Sequence, residues 1–300
     1  TNAQITFFNA NFEDGTGVNA WTFSSTGDSN SNWIRDVDNT TGIGHNRPAV
    51  PLFFAGTGNT TNCLYTQRHN LVSQYQNDTE IQSTSPVIDF SGYENITLSI
   101  DTRTDTQNND GMKVQYRLNG GGWQNLGNGA GWYDDNVGSL GSNGWFGGTA
   151  NSVWQTRSIN ISTQDINFNG NEEVEFRVIF ASNGNNRDVG VAFDNFRLSG
   201  FEAPEIVVSG NAVNIVDGDA TPALADFTDF GATTIGTPIT RTFQIRNTGL
   251  LPLTIGAFTF GGANASEFTL VTPPAATLSI GATTTFTVSF SPGALGVRNA

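Results

Sequence analysis

A chain of 300 residues is long enough to bury a sizeable core and, at the usual domain length of about 100–200 residues, to hold two domains. Charged residues are only 13%, against about a quarter in typical soluble proteins, while Gly fills 35 positions and Phe 22. The net charge of −14 arises from 27 acids and 13 bases, twelve Arg and the single Lys113; no segment carries a basic run, which argues against nucleic acid and anionic membranes as partners.

Cys63 stands alone, so no intrachain disulfide is available and stability must come from burial. No apolar run reaches the roughly 18 residues of a membrane span, so direct membrane insertion is not expected. Good helix formers are scarce and apolar residues do not recur at helical spacing, so almost no helix is expected.

In chain order, alternation of apolar and polar residues predicts strands over 5–12, 94–104, 112–118, 156–162, 174–182 and 189–200. In the 174–182 run, Val174, Phe176, Val178 and Phe180 share one face while Glu175 and Arg177 point the other way. Such half-buried strands build a two-sheet sandwich. Between them, Asn-Gly turns at 119–122, 169–171 and 183–186 supply the positive-φ residues that hairpins need.

The composition breaks near 201–204: all six Trp lie before it, and no Trp, Tyr or His follows. Beyond the break, further strands are predicted over 205–210, 240–249, 253–260, 267–271 and 283–292, parted by Gly and Pro, the pattern of an immunoglobulin-type sandwich. Five or six strands precede Ala300 where such a sandwich has about seven, so the second domain is expected to be incomplete. The expected architecture is all-β: a jelly-roll β-sandwich over 1–202, then an incomplete immunoglobulin-like β-sandwich over 203–300.

Several stretches carry a family likeness. FFNANFEDG (7–15), STSPVIDFSGYENITLSIDTRT (83–104), DGMKVQYRLNGGGWQNLG (110–127) and VAFDNFRLSG (191–200) resemble a MAM-type or carbohydrate-binding-module-like jelly roll of large secreted Bacteroidota proteins. Animal MAM domains carry paired cysteines and this chain has one Cys, so the likeness speaks for fold rather than for their adhesion mechanism. EIVVSGNAVNIVDGDATP (205–222), TDFGATTIGTPITRTFQIRNTGLLPLTI (228–255) and FTVSFSPGALGVRNA (286–300) resemble the choice-of-anchor D, Hydin-like immunoglobulin repeat. That resemblance implies a secreted or cell-surface protein with further domains, and export by type IX secretion.

The jelly-roll likeness also implies a structural Ca²⁺ between an acid after the first-strand Phe and an acid in the last strand. Those positions are Glu13 and Asp194, and because a hard cation wants several oxygens, backbone carbonyls and Asn11, Asp36 or Asp38 would have to help. The alternative is that Glu13 caps a turn and Asp194 pairs with an Arg such as Arg197.

The Gly-rich stretch 127–154 holds Trp132, Tyr133, Asp134, Asp135, Trp145, Phe146 and Trp154. A loop of this length is usually functional or mobile. Exposed rings beside carboxylates would stack on sugars and bind their hydroxyls, which makes Trp132, Tyr133, Asp134, Asp135 and Trp145 candidate ligand contacts. The competing reading is that these rings fold back over one sheet as a cover.

For catalysis there is little footing. His45 and His69 sit in polar segments without metal-ligand spacing, and Cys63 with His69 lacks an aligning third group. The expectation is therefore a non-catalytic structural or adhesive segment that contacts glycans or other surface proteins, the alternative being a carbohydrate-binding accessory module of a secreted hydrolase.

Overall fold

A computed structural model describes residues 3–12, 20–26, 33–35, 64–66, 75, 77–107, 109–127, 131–147, 154–163, 173–184 and 190–300. Among these the chain is nearly all β, with short 3-10 turns at Gly138–Leu140, Ile161–Thr163 and Ala265–Glu267. It divides into two compact units, one of Thr1–Phe90 with Glu94–Phe201 and one of Ser91–Tyr93 with Glu202–Ala300.

The first unit is a jelly-roll sandwich of two sheets. One sheet runs in the order Gln155–Asn160, Tyr93–Asp105, Gly190–Glu202, Leu64–Thr66, Trp33–Arg35, with Ile5–Ala10 also paired to Gly190–Glu202. The other runs Thr22–Thr26, Glu80–Thr84, Glu173–Ala181, Gly111–Leu118, Gln124–Asn125, with Ile88–Asp89 also paired to Glu173–Ala181. The strands of this second sheet pair antiparallel, an arrangement that can leave one face solvated.

Two-residue periodicity decides what is buried. Along Glu173–Ala181, Val174, Phe176, Val178 and Phe180 are buried against the opposite sheet, and Glu175 and Arg177 project outward. From the facing sheet come Phe193 and Phe196, and the rings interlock: Phe176 meets Phe196 at 5.4 Å, Phe12 meets Phe193 at 5.6 Å, and Trp21 meets Phe196 at 5.4 Å. Burial of these rings, each offering roughly 150–250 Å² of apolar surface, is the main stabilising contribution of a core without disulfides.

In the second unit a five-stranded antiparallel sheet runs Val213–Ile215, Ile206–Gly210, Ile239–Asn247, Thr283–Phe290, Phe268–Thr272, beside a two-stranded pair Leu253–Thr254 and Thr277–Leu278. Phe243, Ile245 and Asn247 turn inward while Gln244 and Arg246 are exposed. Phe230 fills the same core, 5.6 Å from Phe268 and 6.0 Å from Phe290. Gly210 is required where it stands, because a Cβ there would lie 1.9 Å from the Asp226 carbonyl oxygen.

Candidate functional site

Register places one polar surface across the outward face of the second sheet. Arg177 lies opposite Gln115 on one side and Thr84 on the other, Glu175 lies opposite Arg117, and Gln115 lies opposite Asn125. Directly opposed residues share a face, so four strands contribute side chains to a single row.

The row is hydrogen-bonded from end to end. Gln82 Nε2 donates to Glu80 Oε1 at 2.6 Å, Arg177 Nη1 donates to Gln82 Oε1 at 2.9 Å, and Arg177 Nε donates to Gln115 Oε1 at 2.7 Å. Gln115 Nε2 then donates to Asn125 Oδ1 at 2.7 Å. Beside it Arg117 forks onto Glu175, with Nε to Oε2 at 2.6 Å and Nη2 to Oε1 at 2.8 Å, the bidentate geometry that holds both groups in register. At the rim, the Trp123 indole stacks on both guanidiniums, 4.4 Å from Arg177 and 4.7 Å from Arg117.

Burial on this face leaves an electrostatic mark. Desolvation pushes the Arg177 pKa down, Glu80 partly opposing it and Arg117 adding to it. Lys113, 7% exposed, is likewise pushed down by burial, with Glu80 opposing and Arg177 adding. Its ammonium donates to the Leu140 carbonyl at 3.1 Å and to Ser142 Oγ at 2.9 Å, both neutral acceptors. The hydrogen bond to Glu175 raises the Arg117 pKa.

The aromatic stretch expected either to bind sugars or to fold back does the second. Trp132 is 4% exposed, Tyr133 8% and Trp145 0%, and Trp145 lies 4.8 Å from Trp132 and 5.0 Å from Tyr133. The reading of these three as exposed stacking faces is corrected, because their rings pack on each other at the open edge of Gly111–Leu118. Trp145 exchanges backbone hydrogen bonds with Met112, and Trp145 Nε1 donates to the Trp132 carbonyl. Asp134 is exposed and ion-paired with Arg157 at 3.1 Å rather than turned to a ligand. Asp135 opens the small hairpin Asp135–Val137 with Ser142–Gly144.

Of the expected metal ligands, Glu13, Asp36 and Asp38 lie outside the described residues, as do His45, His69 and Cys63. Asp194 is fully buried, and its Oδ1 accepts the Asn195 N–H at 2.7 Å. Asn195, at φ 50°, turns its Nδ2 to Asp101 Oδ2 at 2.8 Å, and Asp101 is the acid that Arg197 approaches, at 3.7 Å. Asn11 is half-buried. Among the described residues no group of three His, Cys, Asp or Glu side chains converges as a metal site.

Residues 223–300 match the HYDIN/CFA65/VesB-like Ig-like domain family. The second unit is an Ig-like domain. No curated protein matches the chain. Among solved structures, the chain is similar to the carbohydrate-binding module TmCBM61 in complex with β-1,4-galactotriose, at 11% identity over 63% of this chain and 93% of that one, TM-score 0.36. It is similar also to a family 11 carbohydrate-binding module of a Clostridium thermocellum cellulosomal cellulase, at 13% identity over 67% and 96%, TM-score 0.34. A third likeness is to the K1 cleaved adhesin domain of Lys-gingipain from Porphyromonas gingivalis W83, at 10% identity over 65% and 97%, TM-score 0.36.

The polar row escaped the sequence reading. Its members are far apart in the chain, Arg177 being 62 residues from Gln115 and 95 from Gln82. The available signal was alternation: Lys113, Gln115 and Arg117 fall on one face of their strand as Glu175 and Arg177 do on theirs, and Trp123 follows the turn after it.

Proposed function

We propose that this chain is a non-catalytic, glycan-binding segment of a secreted or cell-surface protein, and that it binds through the outward face of the second sheet. One observation carries the reading: the row Glu80, Gln82, Arg177, Gln115, Asn125 is fixed by its own hydrogen bonds before any ligand arrives. Planar amides, a guanidinium and a carboxylate are the groups that pair with vicinal sugar hydroxyls, and holding them in place lowers the entropic cost of binding. Trp123 supplies an aromatic boundary. The carboxylates beside the row serve as supports, Glu175 gripped by Arg117 and Glu80 by Gln82, which favours binding over hydrolysis. The Ig-like unit then acts as a spacer to further domains of the same protein.

A structural Ca²⁺ on Asp194 belongs to the same proposal. Asp194 is a buried carboxylate on the strand Gly190–Glu202, which pairs with Ile5–Ala10, and this agrees with a hard cation held by Asp194, Asn11, Glu13 and Asp38.

Affinity electrophoresis of the full chain against a polysaccharide panel tests the binding claim, with Trp123→Ala and Arg177→Ala as site variants and Asp134→Ala as a control. Retardation by at least one glycan, lost in both site variants and kept in the control, is expected. No retardation by any glycan, or retardation unchanged in both site variants, would overturn it.

A further inference from the structure

We infer that the glycan taken by this face bears anionic groups, and that Arg177 is the residue that reads them. The inference rests on the glycan-binding reading above and names the ligand's chemical class.

Cations that are scattered in the sequence converge in the fold. Arg117, Arg177 and Lys113, the chain's only lysine, share one sheet face in a protein of net charge −14. Their counter-charges are unequally distributed. Glu175 is consumed by Arg117 in a two-point fork. Glu173 and Asp89 stand opposite each other at the far end of the sheet, exposed to solvent and screened by it. At the centre, Arg177 and Lys113 face one carboxylate, Glu80, which is not within ion-pair distance of either among the described residues.

Arg177 is held as a waiting charge would be. Two neutral amide oxygens, on Gln115 and Gln82, fix Nε and Nη1, and the Trp123 indole lies against the guanidinium. Its Nη2 makes no hydrogen bond to any described residue. Amides and an indole orient a guanidinium without cancelling its charge, whereas a carboxylate in their place would have neutralised it. The ammonium of Lys113 is fixed by a carbonyl and a hydroxyl on the same principle. Partial desolvation of both groups strengthens the attraction for an arriving anion. The shared chemistry is a sugar carboxylate or sulfate.

Calorimetric titration of the full chain with matched pairs decides it: polygalacturonate against its methyl ester, and dextran sulfate against dextran, alongside the neutral glycans of the panel. A charge-assisted hydrogen bond predicts that at least one charged member binds about ten-fold or more tightly than its uncharged partner. Preference within the first pair alone assigns the site to carboxylates, and within the second alone to sulfates. Arg177→Gln should bring the ratio close to one, and added sodium chloride should shrink it in the wild type; Arg177→Lys, which keeps the charge, should retain part of it if Arg177→Gln fails to fold. Equal affinity within both pairs, with neutral glycans bound, would overturn this inference and leave the glycan-binding face standing. Binding to no glycan would remove both. A charge preference that survives in correctly melting Arg177→Gln would take the site away from this face.

Discussion

The Tyr133 hydroxyl accepts the Val114 N–H at 3.0 Å and donates to the Val114 carbonyl at 3.1 Å. A side chain thus occupies the place of a neighbouring strand at the open edge of Gly111–Leu118, between the backbone pairings of Asn125 and Trp145. Val114 O also receives the Leu126 N–H, whereas among the described residues the Val114 N–H is satisfied by Tyr133 alone. A buried edge with an orphaned N–H is costly, and this contact explains why an aromatic cluster covers the sheet there.

Tyr133→Phe should therefore destabilise the first unit by about 1–3 kcal/mol, the cost of an unsatisfied buried donor. Urea unfolding followed by Trp fluorescence measures it, and glycan binding should be unaffected. A neutral effect on stability would show that the edge has another partner.

In the Ig-like unit Asn247 is fully buried and uses its whole amide: Nδ2 donates to the Leu251 and Leu278 carbonyls, and Oδ1 accepts the Gly249 and Glu205 N–H groups. Asn247→Ala strands several of these at once and should cost that unit about 2–3 kcal/mol or more. Calorimetric melting should show a downward shift confined to the Ig-like transition.

Asp110 supplies a pH signature. Burial raises its pKa above the ordinary 3.8, outweighing hydrogen bonds from the Tyr75 hydroxyl and the Asn183 N–H, with Asp78 pushing the same way as burial. A raised native value means that the native state holds this proton more tightly than the unfolded chain. The contribution to stability is thus fully present below 3.8 and is lost as pH rises through the native value. The stability of wild type minus that of the non-titrating Asp110→Asn should fall across that window and level off above it. A difference that rises with pH would contradict the assignment.

If calcium is held at Asp194, chelation should lower the melting temperature of the first unit, since a ligand bound only to the folded state stabilises it by mass action. Asp194→Ala and Glu13→Ala should each abolish the chelator effect. An unchanged melting curve of protein confirmed metal-free would remove the metal from the account.

The fold class was legible because a strand with one buried face writes its period into the chain, as Val174, Phe176, Val178 and Phe180 do against Glu175 and Arg177. The aromatic stretch was legible only as a choice. Composition shows that Trp132, Tyr133 and Trp145 are present, and whether a ring meets solvent or a bare strand edge depends on strand order, which local sequence does not encode. The polar row was illegible for the same reason: Gln82, Gln115 and Arg177 meet only through register between distant strands.

The claim that the outward face of the second sheet is the binding surface is tested most directly by nuclear magnetic resonance of the labelled chain, titrated with a glycan from the panel that retards it. The account predicts that the largest shift changes fall on the side chains of Gln82, Gln115, Asn125 and Arg177 and on the Trp123 indole N–H. Changes centred instead on Ser99, Asp101 and Thr156 of the opposite sheet, on the Trp132–Trp145 cluster or on the Ig-like unit would contradict it.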